Sequence, residues 1–154
     1  MIQRIQTVYL LIVAALFAAI VFLPLASLQS GDYLYNFDVT GLNSAVTQEL
    51  VYPTWSLLAL ACIVCVFSFT IIFMYKKRVT QIRLCVYNAL LIIGFCLLFG
   101  FYLWRFSNSP DLPDLSISIR LWVAFPIIAL IINYLALRNI GADEAMIRSL
   151  ERLR

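Results

Sequence analysis

Two uncharged apolar runs, Trp55–Tyr75 and Leu84–Trp104, stand on either side of a short bend carrying Lys76, Lys77, Arg78 and Arg83. Neither run contains Asp, Glu, Lys, Arg or His. About 20 such residues rise roughly 30 Å as a helix, the hydrocarbon thickness of a bilayer. Inside lipid a segment must satisfy its own backbone hydrogen bonds, which a helix does without a neighbour. The stretch therefore predicts a membrane hairpin. Its basic bend belongs on the cytoplasmic side, where Lys and Arg are retained during insertion.

The rest of the chain extends this hairpin to four spans, at about residues 7–28, 54–75, 84–104 and 119–137. With 64% hydrophobic and 12% charged residues, the chain is too apolar for a soluble domain of 154 residues. The spans form an all-α membrane bundle in a single domain, residues 1–154. With both termini cytoplasmic, the inner side carries Arg4, Lys76, Lys77, Arg78, Arg83, Arg138, Arg148, Arg152 and Arg154. The outer side carries only Arg105 and Arg120, with Asp32, Asp38, Glu49, Asp111 and Asp114. This positive-inside bias fixes the expected orientation and implies contact with anionic lipid. No long basic run reads as a nucleic-acid surface. Trp55, Trp104 and Trp122 fall at the outer interface, where rings with a polar edge are favoured. The first span is too long for a signal peptide, and no small-x-small cleavage site follows Pro24. Ala14, Ala15, Ala18 and Ala19 give it a small-residue face suited to close helix packing.

Between the first two spans, Tyr33, Tyr35, Phe37 and Val39 alternate with Leu34, Asn36 and Asp38, the period of a strand. Gly41 lies in a turn over 40–44, and Val46, Leu50 and Tyr52 recur on one side of a returning strand. This predicts an extracytoplasmic β-hairpin over residues 31–53, with the weakly alternating Ser116–Ile119 a candidate for one added strand. A lone hairpin is marginal in water, so its aromatic side must rest on its own bundle, on lipid or on a partner. Pro126 is expected to kink the fourth span or to free a carbonyl there. Gly141 is expected to cap that span, leaving a cytoplasmic amphipathic helix over 142–154 with the stripe Met146, Ile147, Leu150 and Leu153. Tyr33, Tyr35 and Phe37 outside, and this stripe inside, are the candidate interaction residues.

Little in the sequence points to chemistry. Cys62-Ile-Val-Cys65 has the spacing of a redox motif, but it lies mid-span, where thiolate is disfavoured and no outer cysteine pair relays electrons. The four cysteines read as soft packing residues. There is no histidine, and the outer acids lack the spacing of a metal site or an acid/base pair. No catalytic, cofactor or metal residues are assigned. Asn88 and Asn133 are the most polar groups within the spans. Each lies about one turn from the cytoplasmic end, which sets them at one level where they can bond to each other or to Thr7 or Tyr9.

The two ends are more specific. The opening Met1-Ile2-Gln3-Arg4-Ile5-Gln6-Thr7 resembles that of a family of Bacteroidota inner-membrane proteins, domain of unknown function 4293. The closing Ala142-Asp143-Glu144-Ala145 and Arg148-Ser149-Leu150-Glu151-Arg152-Leu153-Arg154 is similar to the same family's tail. The resemblance implies a bacterial inner-membrane tetraspan protein and brings no catalytic residues. The order span, hairpin, span, span, span is also similar to claudin-type tetraspans, in architecture alone. The expected function is a non-enzymatic subunit or assembly factor with membrane-protein partners, in an envelope or protein-export machine. The alternative is a small lipid- or quinone-binding enzyme or carrier with a lateral opening reaching Cys62, Cys65 or Cys96.

Overall fold

The computed structural model describes residues 2–30, 33–47, 49–74, 78–109 and 115–152, with the side chains of 2–4, 78, 115 and 147–152 outside that description. Among these residues four helices and five strands follow in the order α1 (Ile2–Phe22), β1 (Ala26–Ser30), β2 (Tyr33–Phe37), β3 (Gly41–Ser44), β4 (Leu50–Pro53), α2 (Trp55–Phe73), α3 (Arg78–Ser107), β5 (Leu115–Ile119) and α4 (Ala124–Arg152). A 3-10 turn, Leu121–Val123, leads into α4. All five strands lie at one end of the bundle, hereafter the sheet end.

Each helix packs chiefly on two others: α1 on α2 and α4, and α3 on the same pair. All four are long and apolar enough to cross a membrane, yet only 33%, 28%, 28% and 22% of the residues in their apolar windows are buried. Leu11, Val66, Phe69, Leu90, Leu97 and Ile131 point outward. An apolar girdle of this size far exceeds what a water-soluble monomer exposes. Four such helices suggest a multi-pass membrane protein. α3 and α4, at 30 and 29 residues, are roughly 45 Å long and overshoot a hydrocarbon core at their ends.

The first span is shorter than the sequence predicts. α1 stops at Phe22, and residues 26–30 form β1 instead of continuing to Leu28. Pro24 explains the stop: it lacks an N–H and disfavours helix at the preceding residue. The predicted 31–53 hairpin is likewise part of something larger, a five-stranded antiparallel sheet in the order β4-β3-β2-β1-β5. Gly41–Ser44 is a strand and not a turn. The reversal falls one step earlier, where Asp38 N–H donates to the Gly41 carbonyl (2.9 Å) and Gly41 N–H to the Asp38 carbonyl (3.2 Å). Glycine is needed there because a Cβ at Gly41 would lie 2.6 Å from the Tyr52 carbonyl oxygen.

Register sorts the sheet into two faces, since cross-strand partners point the same way. Ala26, Phe37, Leu42 and Tyr52 are aligned across β1, β2, β3 and β4 and face the helices. Phe37 is the peg of this face. It is fully buried, stacked on Phe99 (5.4 Å, 7°) and edge-on to Phe106 (5.3 Å, 86°). Thr54 fastens the same corner, its hydroxyl donating to the carbonyls of Val39 (3.2 Å) and Asp38 (3.4 Å).

The fourth helix departs from expectation twice. Pro126 does not break it, because it sits in the first turn, where the missing N–H has no intrahelical acceptor anyway. Gly141 does not end it either: α4 runs unbroken to Arg152, so among the described residues the tail helix expected over 142–154 is a continuation of the span and not a separate helix. Glycine mid-helix costs about 1 kcal/mol relative to alanine. Packing on both sides of it offsets that cost: Ile140 is buried against Leu10, Ile71 and Ala136, and Asp143 accepts a hydrogen bond from the Gln6 side-chain amide of α1.

Candidate functional site

Two polar regions stand out against an apolar molecule. The first is a layer of side chains inside the bundle. Ser68 of α2, Asn88 of α3 and Asn133 of α4 are all fully buried. Asn88 Nδ2 donates to Ser68 Oγ (3.1 Å) and to Asn133 Oδ1 (3.2 Å). Asn133 Nδ2 donates to the Cys85 carbonyl (2.9 Å), and Ser68 Oγ to the Val64 carbonyl (2.9 Å). The layer cuts the apolar core in two. Val64, Ile92 and Ala129 belong to the cluster on the sheet side; Ile71, Cys85 and Ala136 belong to the far one. The two asparagines thus meet each other, one of the partnerships that their shared depth allowed. Ser68 was missed. Its signal was a hydroxyl residue inside an apolar run, five residues before the end of α2 and level with Asn88.

Asn88 Oδ1 is buried without a protein partner. Beside this layer, a groove of about 330 Å³ between α3 and α4 is lined by Ala89, Leu130, Ile131, Asn133, Tyr134 and Leu137. None of the cysteines lines it. Cys62 is exposed and Cys65 and Cys96 half-buried, with Cys65 Sγ 3.7 Å from the Ala14 carbonyl of α1. Ala14 is buried while Ala15 and Ala18 are exposed, so the small-residue stripe serves the α1–α2 contact in part only.

The second region is the sheet face turned away from the bundle. Asn43, Asn36, Ser27 and Ser118 form one transverse row over β3, β2, β1 and β5. Arg120 lies along this row, its Nε donating to Ser27 Oγ (2.8 Å) and its Nη2 to Asn36 Oδ1 (3.4 Å). At the other end Asp38 Oδ2 accepts from Asn43 Nδ2 (3.0 Å), and its Oδ1 has no protein partner. A recess of about 280 Å³ opens there, lined by Asn36, Asp38, Asn43, Ser44 and Ala45. Alternation located β2 in the sequence, but the polar row exists only through pairing with β1 and β5.

Of the candidate interaction residues, Tyr33 is exposed, Tyr35 is half-buried against the core and Phe37 is fully buried. Phe37 is therefore unavailable to a partner, having been taken up by α3. Met146 is exposed on α4. Ile147 and Leu150 belong to α4 with side chains outside the description, and Leu153, like Lys76 and Lys77, lies outside the described residues. Among the described residues, no three His, Cys, Asp or Glu side chains converge as metal ligands.

These features define a class: a protein of four helices, each long and apolar enough to cross a membrane, capped at one end by a small antiparallel sheet. More narrowly, the chain belongs to the family described as Domain of unknown function (DUF4293), which it matches over residues 2–153. No curated protein matches it.

Proposed function

We propose that the protein is a non-enzymatic tetraspan subunit or assembly factor of a bacterial inner-membrane complex, with the sheet outside and both termini in the cytoplasm. The observation that carries this reading is the division of the sheet into two faces. Its aromatic face is taken up by its own bundle through Phe37. Its other face presents amides and hydroxyls with Arg120 at one end and Asp38 at the other, a surface suited to polar recognition of another protein. The orientation is supported by the concentration of Lys and Arg near the end away from the sheet. Purification from membranes in mild detergent or nanodiscs, followed by mass spectrometry, tests the proposal. Stoichiometric co-purification of a second membrane protein, lost on changing Arg120 to Glu, is the expected result. Isolation without any heterologous partner under every mild condition overturns it. For orientation, a cysteine at Ser118 should react with an impermeant maleimide in intact cells, and one at Lys76 only after permeabilisation.

A second reading, a lipid- or quinone-binding carrier, is favoured by the α3–α4 groove with Asn133 at its wall. It differs from the opening at Cys62, Cys65 or Cys96 that the sequence suggested. Leu130→Trp would fill the groove, and on this reading it displaces a co-purifying lipid or quinone. Unchanged lipid content removes the second reading.

A further inference from the structure

The two edges of the sheet are unlike. β4 is a blunted edge: its pairing with β3 is irregular at Leu42/Asn43, and Pro53 closes it. Both features discourage a further strand. β5, at the opposite edge, pairs only with β1. It does so in unbroken register over five residues, Leu-Ser-Ile-Ser-Ile, with no proline, charge or bulge. An edge strand leaves alternate N–H and C=O groups without a strand partner, and natural proteins protect such an edge or use it. Ser116, Ser118 and Ile119 are exposed, and Leu121 just beyond is 80% exposed. Among the described residues, no further strand pairs with this edge.

We propose that β5 is the contact between two copies of this chain, pairing antiparallel with β5 of a second copy so that the two sheets become continuous. The argument for a second copy is the strand's own pattern. Leu-Ser-Ile-Ser-Ile reads apolar, hydroxyl, apolar, hydroxyl, apolar in both directions. Antiparallel pairing about Ile117 therefore sets Ile117 opposite its equivalent and Ser116 opposite Ser118 of the other copy, like with like at each position on both faces. Such an isologous contact closes on itself as a dimer. Two copies inserted the same way in one bilayer hold their β5 strands at the same height, which raises their effective concentration for pairing. The inference is independent of the partner complex proposed above, because it concerns a second copy and not a heterologous subunit.

The test uses full-length protein in liposomes, with association read by energy transfer between labelled copies across a range of protein-to-lipid ratios. The double variant Ser116→Lys/Ser118→Lys puts lysine opposite lysine at both pairs and is expected to weaken association by about tenfold or more, since like charges directly opposite destabilise a strand pair. Ser116→Lys/Ser118→Glu puts lysine opposite glutamate at both pairs and is expected to restore it. Both positions are exposed, and an unchanged circular dichroism spectrum separates lost pairing from lost folding. A wild-type protein that stays monomeric overturns the proposal. So does a Lys/Lys variant that associates like wild type, or a Lys/Glu variant no better than Lys/Lys.

Discussion

Replacing Phe37 with alanine tests how the sheet is held to the bundle. The ring is fully buried, stacked on Phe99 and edge-on to Phe106, which lie two helical turns apart on α3. Truncating a buried phenylalanine costs about 3–5 kcal/mol, and each aromatic pair accounts for roughly 0.5–1.5 kcal/mol of that beyond area burial. A small sheet depends on packing against helices for its stability, so the loss should fall on the docking of the sheet while the membrane helices persist. At about 1.4 kcal/mol per factor of ten, amide exchange in β2 and β3 should accelerate roughly 100- to 3,000-fold. Exchange in the apolar stretch of α2 should be unchanged. Hydrogen-exchange mass spectrometry in nanodiscs reads both at once. Tyr33→Ala is the control, because Tyr33 is 69% exposed and its loss should shift protection by less than about 0.5 kcal/mol. If Phe37→Ala leaves β2 and β3 protected to within about tenfold of wild type, the ring is not what seats the sheet and the reasoning fails.

The amide layer is expected to contribute modestly. A double-mutant cycle of Asn88→Ala and Asn133→Ala, read by reversible unfolding in bicelles, should give a coupling of about 0.6 kcal/mol and not above about 1.7; zero coupling would mean the 3.2 Å bond between them is not formed in the bilayer. Gly141→Ala should raise stability by up to about 1 kcal/mol, since an added Cβ meets nothing within 4 Å and the helix is continuous. A loss there would restore the helix-capping role. Gly41→Ala should instead destabilise by about 1–3 kcal/mol, because its Cβ would press on the Tyr52 carbonyl, and the effect should appear as faster exchange in β3 and β4. Exchanging Gln6 for leucine removes the hydrogen bond to Asp143 and should loosen the far end of α4 against α1, seen as faster amide exchange around Ile140; unchanged exchange there would show that apolar packing alone holds this end.

What the sequence by itself determined follows from the solvent. Runs without Asp, Glu, Lys, Arg or His, long enough to cross a hydrocarbon core, dictate helices because lipid offers the backbone no other partner. The shared depth of Asn88 and Asn133 followed from the constant rise per residue, but that depth left Thr7 and Tyr9 open as partners, and only the packing of α3 on α4 brings the two asparagines together. The strand β2 was legible from alternation alone. What only the tertiary structure decided is everything that depends on residues far apart in the chain. β1 was hidden at the tail of an apolar run, and it becomes a strand by pairing with β2 on one side and with β5, beyond two helices, on the other. Phe37 and Tyr33 carry the same alternation signal and share a face of the sheet, yet one is a buried peg and the other is exposed, because Phe37 packs on the rings of α3. Gly141 carries the local signature of a helix end, and long-range packing of Ile140 and Asp143 overrides it. Local pattern sets which segments can be helices or strands; which neighbours meet in space sets where they stop and which faces remain exposed.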